Sequence, residues 1–284
     1  MPELSESLLE TALKEAKRVL REAGIASWAL DSDLLMCYLL SIGREQLITR
    51  AKYLLSPVEV ERFRTTVEKR RNLMPVSYIT NHAEFMGLDF YVDENVLIPR
   101  PDTETLVEAA ISYINESGAR TVLDMCTGSG AIGVSIARCC PNVNVTAADI
   151  SPEALKIAAA NAESNRVSVS CIESNMFEKI TGAFDVIVSN PPYISGDEMS
   201  ALPDNVSKYE PHTALYGGED GLAFYRILAK GGKYLSPKGK IFAEIGAGQK
   251  SSVTDIFIKK SFYLHSALKD LAGLDRTLIF GKNR

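Results

Sequence analysis

The sequence TVLDMCTGSGAIG occupies residues 121–133 and joins an apolar run to a glycine-rich turn. The run Thr121–Asp124 is typical of a buried strand, and a helix is expected from Ala131 onwards. Between them, the glycines at positions 128, 130 and 133 form the pattern G-x-G-x-x-G. Glycine lets the backbone approach a ligand closely, and the N-terminus of the following helix adds a favourable dipole. The stretch therefore predicts a strand–loop–helix unit that binds a cofactor containing a nucleoside.

The chain from Arg120 to Lys282 continues to alternate strands and helices. Further strands are predicted at residues 144–149, 167–172, 184–188 and 240–245, with helices between most of them. This alternation predicts an α/β fold with a parallel sheet that helices cover on both faces. The last two predicted strands, 262–268 and 277–280, have no helix between them and should pair as a hairpin. The final strand is then expected to enter the sheet antiparallel.

The N-terminal quarter is predicted to be a small helical bundle. Apolar residues recur at three- and four-residue spacing through residues 4–72, with Gly24 and Gly43 as helix ends and Pro57 as a helix start. The pattern then changes to short extended pieces at Tyr78–Ile79 and near Gly87, where a hairpin turn is expected. Val96–Ile98 is predicted to be extended as well.

These changes in pattern predict three parts of the chain. Residues 1–74 form a helical domain that docks a partner, residues 75–101 form a β-hairpin linker, and residues 102–284 form the catalytic domain. Asp102 is expected to cap the first helix of the catalytic domain.

Asp149 ends the second predicted strand of the α/β region. A carboxylate in this place can accept both hydroxyls of a ribose. The glycine pattern and Asp149 together fit NAD as readily as S-adenosylmethionine. No Gly-Lys-Ser/Thr follows the glycines, so a phosphate-binding nucleotide loop is not expected.

Ser189–Tyr193 follows the buried strand 184–188 and has the sequence SNPPY. The two prolines stop the strand and stiffen the turn, because neither can donate to a sheet. Asn190 and a neighbouring backbone carbonyl are two acceptors suited to the two hydrogens of an NH₂ group. Tyr193 offers a flat ring on which an amide or a base could stack. The alternative is a strand that prolines stop before an ordinary loop.

This element favours a methyltransferase over a dehydrogenase. An amide nitrogen is a poor nucleophile, and two acceptors on its hydrogens can orient it and stabilise the positive charge that develops during transfer. A sulfonium methyl donor has a good leaving group, so neither a metal nor a strong base is required. The three histidines are far apart, and no metal is expected.

The bulk properties describe a soluble, globular chain. Its 284 residues carry a net charge of −5, which provides no general attraction for nucleic acid. The polar, acidic N-terminus is unlike a signal peptide, and no apolar run reaches the length of a membrane span. The five cysteines contain no C-x-x-C pair, which is consistent with a reducing cytoplasm. A monomer is expected.

Taken together, the motifs resemble the PrmC/HemK family of release-factor glutamine methyltransferases. The resemblance rests on DMCTGSG at 124–130, Asp149, Asn190–Tyr193 and LIPRPDTE at 97–104, and it covers nearly the whole chain. It implies a seven-stranded, Rossmann-like class I methyltransferase domain behind a helical N-terminal domain, with S-adenosyl-L-methionine as the methyl donor. The implied substrate is the side-chain amide N5 of the glutamine in the Gly-Gly-Gln loop of class 1 peptide chain release factors.

The resemblance also implies a role for each matching residue. The cofactor would be bound by a loop, three carboxylate or amide side chains and one methionine: Cys126, Thr127, Gly128, Ser129, Gly130, Asp149, Asn175, Met176 and Asn190. The substrate glutamine would be held by Asn190, Pro191, Pro192 and Tyr193, of which Asn190, Pro191 and Tyr193 are the expected catalytic residues. The family usually has Gly at the position of Cys126 and Asp at that of Asn175.

Two other functions fit parts of the pattern. An N6-adenine nucleic-acid methyltransferase shares Asn-Pro-Pro-Tyr, but a basic cleft and a target-recognition insert are missing from this sequence. A protein that binds a nucleotide cofactor without transfer would not need both Asn190 and Asp149. The roles of Arg100 and Glu104 stay open.

Overall fold

The computed structural model describes residues 6–283. Its helices, in chain order, are α1 (Leu9–Glu22), α2 (Trp28–Leu40), α3 (Arg44–Thr49), α4 (Pro57–Arg71), α5 (Val76–Thr80), α6 (Pro101–Ser117), α7 (Ala131–Cys139), α8 (Pro152–Ser164), α9 (Gly196–Met199), α10 (Asp204–Ser207), α11 (His212–Leu215), α12 (Ala223–Leu228) and α13 (Lys250–Ile258). A 3₁₀ turn follows α12 at Gly231–Tyr234.

The strands are β1 (Ser7–Leu8), β2 (Leu54–Leu55), β3 (Ala83–Phe85), β4 (Leu88–Phe90), β5 (Thr121–Met125), β6 (Asn144–Asp149), β7 (Val169–Glu173), β8 (Phe184–Ser189), β9 (Leu235–Glu244), β10 (Phe262–Lys269) and β11 (Asp275–Lys282). None of the helices within residues 6–283 has both the length and the apolar character that crossing a membrane requires.

The chain divides into two compact units. The first contains the residues up to Asn81 together with the short segment Asp204–Tyr209, and the second contains His82–Pro203 and the residues from Glu210 onwards. The predicted linker 75–101 is divided between them, because α5 belongs to the first unit and the hairpin β3–β4 to the second.

The first unit is built on the apolar spacing of α1. Its buried residues Leu9, Leu13, Ala16 and Leu20 lie on one face of the helix, as three- and four-residue spacing requires. This face packs with residues of α2 and α4, among them Leu35 and Phe63, in one apolar core. The helical bundle is therefore confirmed, with one addition: Ser7–Leu8 pairs with Leu54–Leu55 as two short antiparallel strands.

The prediction of an extended piece at Tyr78–Ile79 was wrong. These residues lie in helix α5, where the carbonyl of Pro75 accepts hydrogen bonds from both of their amides. Both side chains are buried, so the short apolar pattern reflects one buried helical turn, which cannot be told from a strand by periodicity alone. Val96–Ile98 is not a strand either. The Val96 amide donates a hydrogen bond to the carbonyl of Asp93 and so closes a turn.

The second unit contains a seven-stranded sheet in the order β10-β11-β9-β8-β5-β6-β7. Strands β9, β8, β5, β6 and β7 are parallel to one another, whereas β11 is antiparallel to both β9 and β10. The terminal hairpin and the antiparallel final strand are therefore confirmed. The predicted hairpin around Gly87 is also present, as β3 paired with β4.

The order of the strands determines where a ligand can bind. From β5 the chain crosses to β6 and β7 on one side, and then returns to β8 on the other side of β5. Loops that leave the carboxyl ends of β5 and β8 therefore diverge and leave a crevice, the usual binding place in an open α/β sheet. Both faces of the sheet are covered by apolar residues, so the sheet is a rigid base for these loops.

Candidate active site

A cavity of about 360 Å³ lies at the carboxyl ends of the central strands. It is lined by residues that follow β5, β6, β7 and β8, together with residues near the start of α6. Among the residues with predicted roles, the lining contains Cys126, Thr127, Gly128, Ser129, Asp149, Asn175, Met176, Asn190 and Pro192. Gly130, Pro191 and Tyr193 do not line the cavity. The structure thus brings most of the predicted site together.

The loop after β5 depends on two glycines in the left-handed region. Gly128 has φ +54°, and a Cβ added there would meet nothing within 4 Å, so its Cα faces open space in the cavity wall. Gly130 has φ +82°, and its Cβ would lie 3.0 Å from the Cα of Ala158 on α8. One glycine therefore leaves room on the cavity side, and the other lets the loop pack against a helix.

Asp124, in β5, anchors this loop by hydrogen bonds. The carboxylate of this fully buried residue accepts hydrogen bonds from the Thr127 hydroxyl at 2.5 Å and from the Gly133 amide at 2.9 Å. A Cβ at Gly133 would come within 2.9 Å of the Asp124 Oδ2 atom. Asp124 thus ties the start of α7 to the end of β5, and sequence reasoning had given it no such role.

Asp149 ties the loop after β6 to the loop after β5. Its Oδ2 accepts a hydrogen bond from the Gly128 amide at 2.9 Å, and its Oδ1 accepts one from the Ser151 amide at 3.0 Å. A carboxylate oxygen has room for more than one donor, so both oxygens can also accept a ligand hydroxyl. Asp149 is consequently held in one orientation on the cavity wall.

The loop after β7 contributes one polar and one apolar side chain. Asn175 Nδ2 donates to Glu178 at 2.9 Å, which leaves its Oδ1 as the end that can accept from a ligand. Met176 is buried, and its Sδ lies 3.7 Å from the Sγ of Cys126. Both Met176 and Cys126 have positive φ, at 49° and 63°. Two flexible, polarisable side chains therefore form one part of the cavity wall.

We expect Cys126 to tolerate glycine but not a β-branched residue. At φ 63° a β-branched side chain is a genuine outlier, so Cys126→Val should lower the free energy of unfolding by about 2 kcal/mol. Cys126→Gly loses the sulfur contact but removes the strain, and it should stay within about 1 kcal/mol of the parent. Urea unfolding of the three proteins measures the difference, and equal stability of the valine and glycine variants would contradict it.

Asn190 lies directly after β8 and lines the cavity. Its Nδ2 donates to the Thr103 hydroxyl at 3.3 Å, so its Oδ1 is the end that remains for a ligand. Just before it, the Ser189 hydroxyl donates to the carbonyl of Met125 at 2.7 Å and links β8 to β5. Thr103 also lines the cavity, and no role had been assigned to it from sequence.

Tyr193 packs inside the second unit instead of lining the cavity. A Cβ at Gly246 would lie 3.1 Å from its Cδ2, and the Tyr193 carbonyl accepts from Gln249 at 2.9 Å. Burial, followed by the nearby charge of Glu244, raises the pKa of Tyr193 to about 12. Its stacking role stays a prediction, whereas its packing role fixes the path of the chain after the prolines.

The segment before α6 positions two charged residues. Arg100 lines the cavity and forms an ion pair with Glu210, whose side chain is 1% exposed. Glu104 accepts a hydrogen bond from the Met86 amide at 2.7 Å, so it links α6 to the β3–β4 hairpin. Asp102 is not the helix cap that was predicted: α6 starts at Pro101, a favoured first position, and Arg100 precedes it as the cap residue.

Two buried carboxyls in this region, Asp124 and Glu244, have raised pKa values. Burial is the main cause, and it raises the pKa of each to about 7 against opposing hydrogen bonds. For Asp124 the opposing donors are Thr127 and Gly133, and for Glu244 the donor is Thr103, with Arg276 adding a favourable charge. Both carboxyls therefore hold a proton more tightly in the folded chain than in the unfolded chain.

We expect these two carboxyls to lower the free energy of unfolding as pH rises from about 5 to about 7. In this window unfolded Asp and Glu side chains have lost their protons, while the two buried carboxyls still retain theirs. Each group can lower the free energy of unfolding by up to about 1.4 kcal/mol per pH unit, and the loss ends above the folded pKa. Urea unfolding across this range measures the slope.

Glu244→Gln should remove about half of that slope, because one of the two carboxyls no longer titrates. The exposed Glu153 provides a matched control, and Glu153→Gln should leave the slope as it is. A slope that is the same in the Glu244→Gln protein and the parent would contradict the assignment.

Comparison with known proteins agrees with this geometry. A family model for the PrmC N-terminal domain matches residues 11–80, and one for the methyltransferase small domain matches residues 103–205. The release factor glutamine methyltransferase of Clostridium acetobutylicum is 41% identical over 279 residues, which cover 95% of this chain and 97% of that protein. The protein of the same name from Agrobacterium fabrum is 37% identical over 282 residues, which cover 97% and 98%.

Solved structures share the fold of the second unit. A 16S rRNA methyltransferase of T. thermophilus, in complex with AdoMet and guanosine, has a TM-score of 0.51 and 22% identity over 71% of this chain and 50% of that one. This likeness supports the class I methyltransferase fold. The identity and coverage of the curated relatives go further, and they show that the chain belongs to the family of release factor glutamine methyltransferases.

Proposed function

We propose that this protein transfers a methyl group from S-adenosylmethionine to the side-chain amide N5 of the glutamine in the Gly-Gly-Gln motif of class 1 peptide chain release factors. The observation that carries the proposal is the position of Asn190, which lines the same cavity as the glycine loop and Asp149. Relatives that match nearly the whole chain are named release factor glutamine methyltransferases, which supports the choice of substrate.

The residues of the cavity fit S-adenosylmethionine. Gly128 leaves space where a side chain would project, and Asp149 presents two oxygens suited to the ribose hydroxyls. Met176 supplies an apolar surface for a flat base, and Asn175 Oδ1 can accept from a base amine. When bound, this cofactor supplies a methyl group on a positively charged sulfur, which makes the remaining thioether a good leaving group.

Asn190 would act on the nitrogen that receives the methyl group. The nitrogen lone pair of an amide is delocalised into its carbonyl, and two acceptors on the NH₂ hydrogens counteract this by orienting the nitrogen. We assign these acceptors to Asn190 Oδ1 and the backbone carbonyl of Pro191. Acceptors fixed in advance also stabilise the positive charge that develops on the nitrogen, and the excess proton can leave to solvent afterwards. Tyr193 and Pro192 hold the chain that carries these acceptors.

We assign the docking of the release factor to the N-terminal domain. Its support is a set of exposed apolar side chains within residues 48–58, from α3 to the first turn of α4: Ile48, Tyr53, Leu54 and Val58. Exposed apolar groups close together on a folded unit are typical of a protein contact. We further propose that the enzyme acts as a monomer in the cytoplasm and does not bind nucleic acid directly, in keeping with its net charge of −5.

Labelled S-adenosylmethionine tests the proposal with three acceptors. The enzyme is incubated with a class 1 release factor, with the same factor carrying Gly-Gly-Ala in place of Gly-Gly-Gln, and with DNA. Label is expected on the first acceptor alone. Equal labelling of the Gly-Gly-Ala factor would refute the choice of glutamine, and label on DNA would favour the N6-adenine alternative.

A further inference from the structure

Residues 211–216 form one wall of the cavity, and we call them the wall segment. The members that line the cavity are Pro211, His212, Thr213, Ala214 and Tyr216. The wall segment contains the short helix α11 and lies outside the main sheet, so the sheet ladder does not hold it in place. Its path therefore depends on the contacts made at its two ends.

The carboxyl end of the wall segment lies against the chain that carries Asn190. The Ile194 amide donates to the carbonyl of the buried Leu215 at 3.0 Å, and the Gly217 amide donates to the Ile194 carbonyl at 2.8 Å. A Cβ at Gly217 would come within 2.7 Å of the Cα of Tyr193. Most residues assigned to the cofactor follow β5, β6 and β7 instead. The wall segment therefore belongs to the substrate side of the cavity.

The amino end of the wall segment is preceded by Glu210. The chain before it, Asp204–Tyr209, belongs to the first unit, so Glu210 is the residue at which the chain re-enters the second unit. The Glu210 side chain is 1% exposed and forms an ion pair with Arg100. Arg100 stands between two prolines and has the extended backbone, φ −103° and ψ 140°, that a following proline favours. A residue with a stiff backbone thus holds the entrance to the wall segment.

Packing alone does not explain a glutamate at position 210. Its Oε2 is buried and has no hydrogen-bond partner among the described residues. A buried ion pair is weak evidence for stability, because the desolvation of two charges offsets their attraction, and apolar side chains of similar volume often serve as well. Glu210 does not line the cavity, so it has no contact there with a ligand. What the pair does supply is a fixed geometry between the segment before α6 and the wall segment.

We propose that Arg100 and Glu210 are positioning residues: their ion pair fixes the wall segment, and the wall segment keeps the substrate glutamine beside Asn190. The inference rests on the proposed function, in which that glutamine enters the cavity. Fixing the wall affects the rate because the amide nitrogen must be held within reach of the methyl group and in line with it. Since Arg100 lines the cavity and Glu210 does not, Glu210 is the residue whose effect passes through position alone.

A matched pair of variants at Glu210 tests the inference. Glu210→Ala removes the partner of Arg100, whereas Glu210→Gln keeps the shape and an oxygen that can accept from Arg100. With the full-length enzyme and a class 1 release factor, Glu210→Ala is expected to lower kcat/KM by about 10- to 100-fold, and Glu210→Gln should stay within about fivefold of the parent. The Kd for S-adenosylmethionine should change by less than about threefold in both variants. Glu163, exposed on α8 and outside the cavity, is the control, and Glu163→Ala should keep the parent values.

A double-mutant cycle shows whether the two residues act as one unit. Arg100→Met keeps most of the aliphatic stem and removes the charge. If the pair acts through one contact, adding Glu210→Ala to the Arg100→Met protein should lower kcat/KM by less than about threefold further. Effects of the two substitutions that simply multiply would overturn the proposal.

Hydrogen exchange of the wall segment gives a readout that does not depend on turnover. The amides of Tyr216 and Gly217 donate to the carbonyls of His212 and Ile194, and they should exchange slowly in the parent. In Glu210→Ala, a peptide that spans residues 211–217 should exchange at least about tenfold faster, while a peptide from β5 keeps the parent rate. Faster exchange in both peptides alike would show a purely structural role of Glu210 and would overturn the proposal.

The outcomes separate this inference from the proposed function. If the parent enzyme does not label the release factor, the proposed function fails, and the exchange measurement still decides whether Glu210 fixes the wall segment. If the parent labels the factor and Glu210→Ala does so at the same kcat/KM, the inference is overturned. Parent-like exchange of residues 211–217 in Glu210→Ala would overturn it as well. If Glu210→Ala does not fold, the Arg100→Met protein takes its place in the exchange measurement.

Discussion

Replacing Asn190 with alanine is expected to reduce turnover on a release factor by about 10²- to 10³-fold. The variant loses the acceptor that orients the glutamine nitrogen and stabilises its developing charge, and deletion of one such preorganised group in other enzymes has an effect of this size. Affinity for S-adenosylmethionine should stay within about tenfold, or about 1.4 kcal/mol, because the glycine loop and Asp149 remain. Single-turnover labelling and calorimetric titration of the cofactor measure the two effects separately.

Asn142 provides the matched control. It is an exposed asparagine before β6 and does not belong to the residues that line the cavity. Asn142→Ala should keep both turnover and cofactor affinity. Turnover at the parent rate by the Asn190→Ala enzyme would remove Asn190 from the reaction.

The main sheet could be predicted from the sequence because its strands are strongly patterned. Phe184–Ser189 and Thr121–Met125 are almost entirely buried, and their β-branched residues fit a central parallel strand. The two strands at the end of the chain could pair only as a hairpin, since no crossover helix separates them. In both cases the prediction needed only residues that are close together in the sequence.

The cavity could be predicted from the sequence because strand ends converge. Asp149 and Asn190 each end or follow a parallel strand, and the carboxyl ends of such strands lie at one edge of the sheet. Their predicted proximity needed no knowledge of side-chain packing. The orientation of Tyr193 did need it, and for that reason the sequence could not reveal that its ring packs near Gly246.

Contacts between distant parts of the chain could not be predicted. Thr103 stands in the motif LIPRPDTE, yet its hydrogen-bond partner Asn190 follows β8, far along the sequence. The segment Asp204–Tyr209 is another case, because it clusters with the N-terminal unit although the chain around it belongs to the second unit. The Tyr209 hydroxyl donates to the carbonyl of Asn72 at 2.7 Å in that unit. No local pattern marks such pairs.

Replacing Asp149 with alanine is expected to weaken S-adenosylmethionine binding by about 10²-fold, or about 2.7 kcal/mol. Two contributions add up to this effect. The ligand loses an acceptor for its ribose hydroxyls, and hydrogen bonds to a charged group contribute about 1.5–3 kcal/mol. The protein also loses the bonds from the amides of Gly128 and Ser151, so the loop must be ordered when the ligand binds.

Asp149→Asn separates the two contributions. Its single side-chain oxygen can keep one of the backbone bonds and accept one ribose hydroxyl, so its Kd should lie between those of the parent and of Asp149→Ala. The exposed Asp255 on α13 is a control, and Asp255→Ala should leave the Kd as it is. Turnover of both Asp149 variants should recover at saturating cofactor, because Asn190 and its partners are intact in them. An Asp149→Ala protein that binds the cofactor as tightly as the parent would show that the carboxylate holds the loop without touching the ligand.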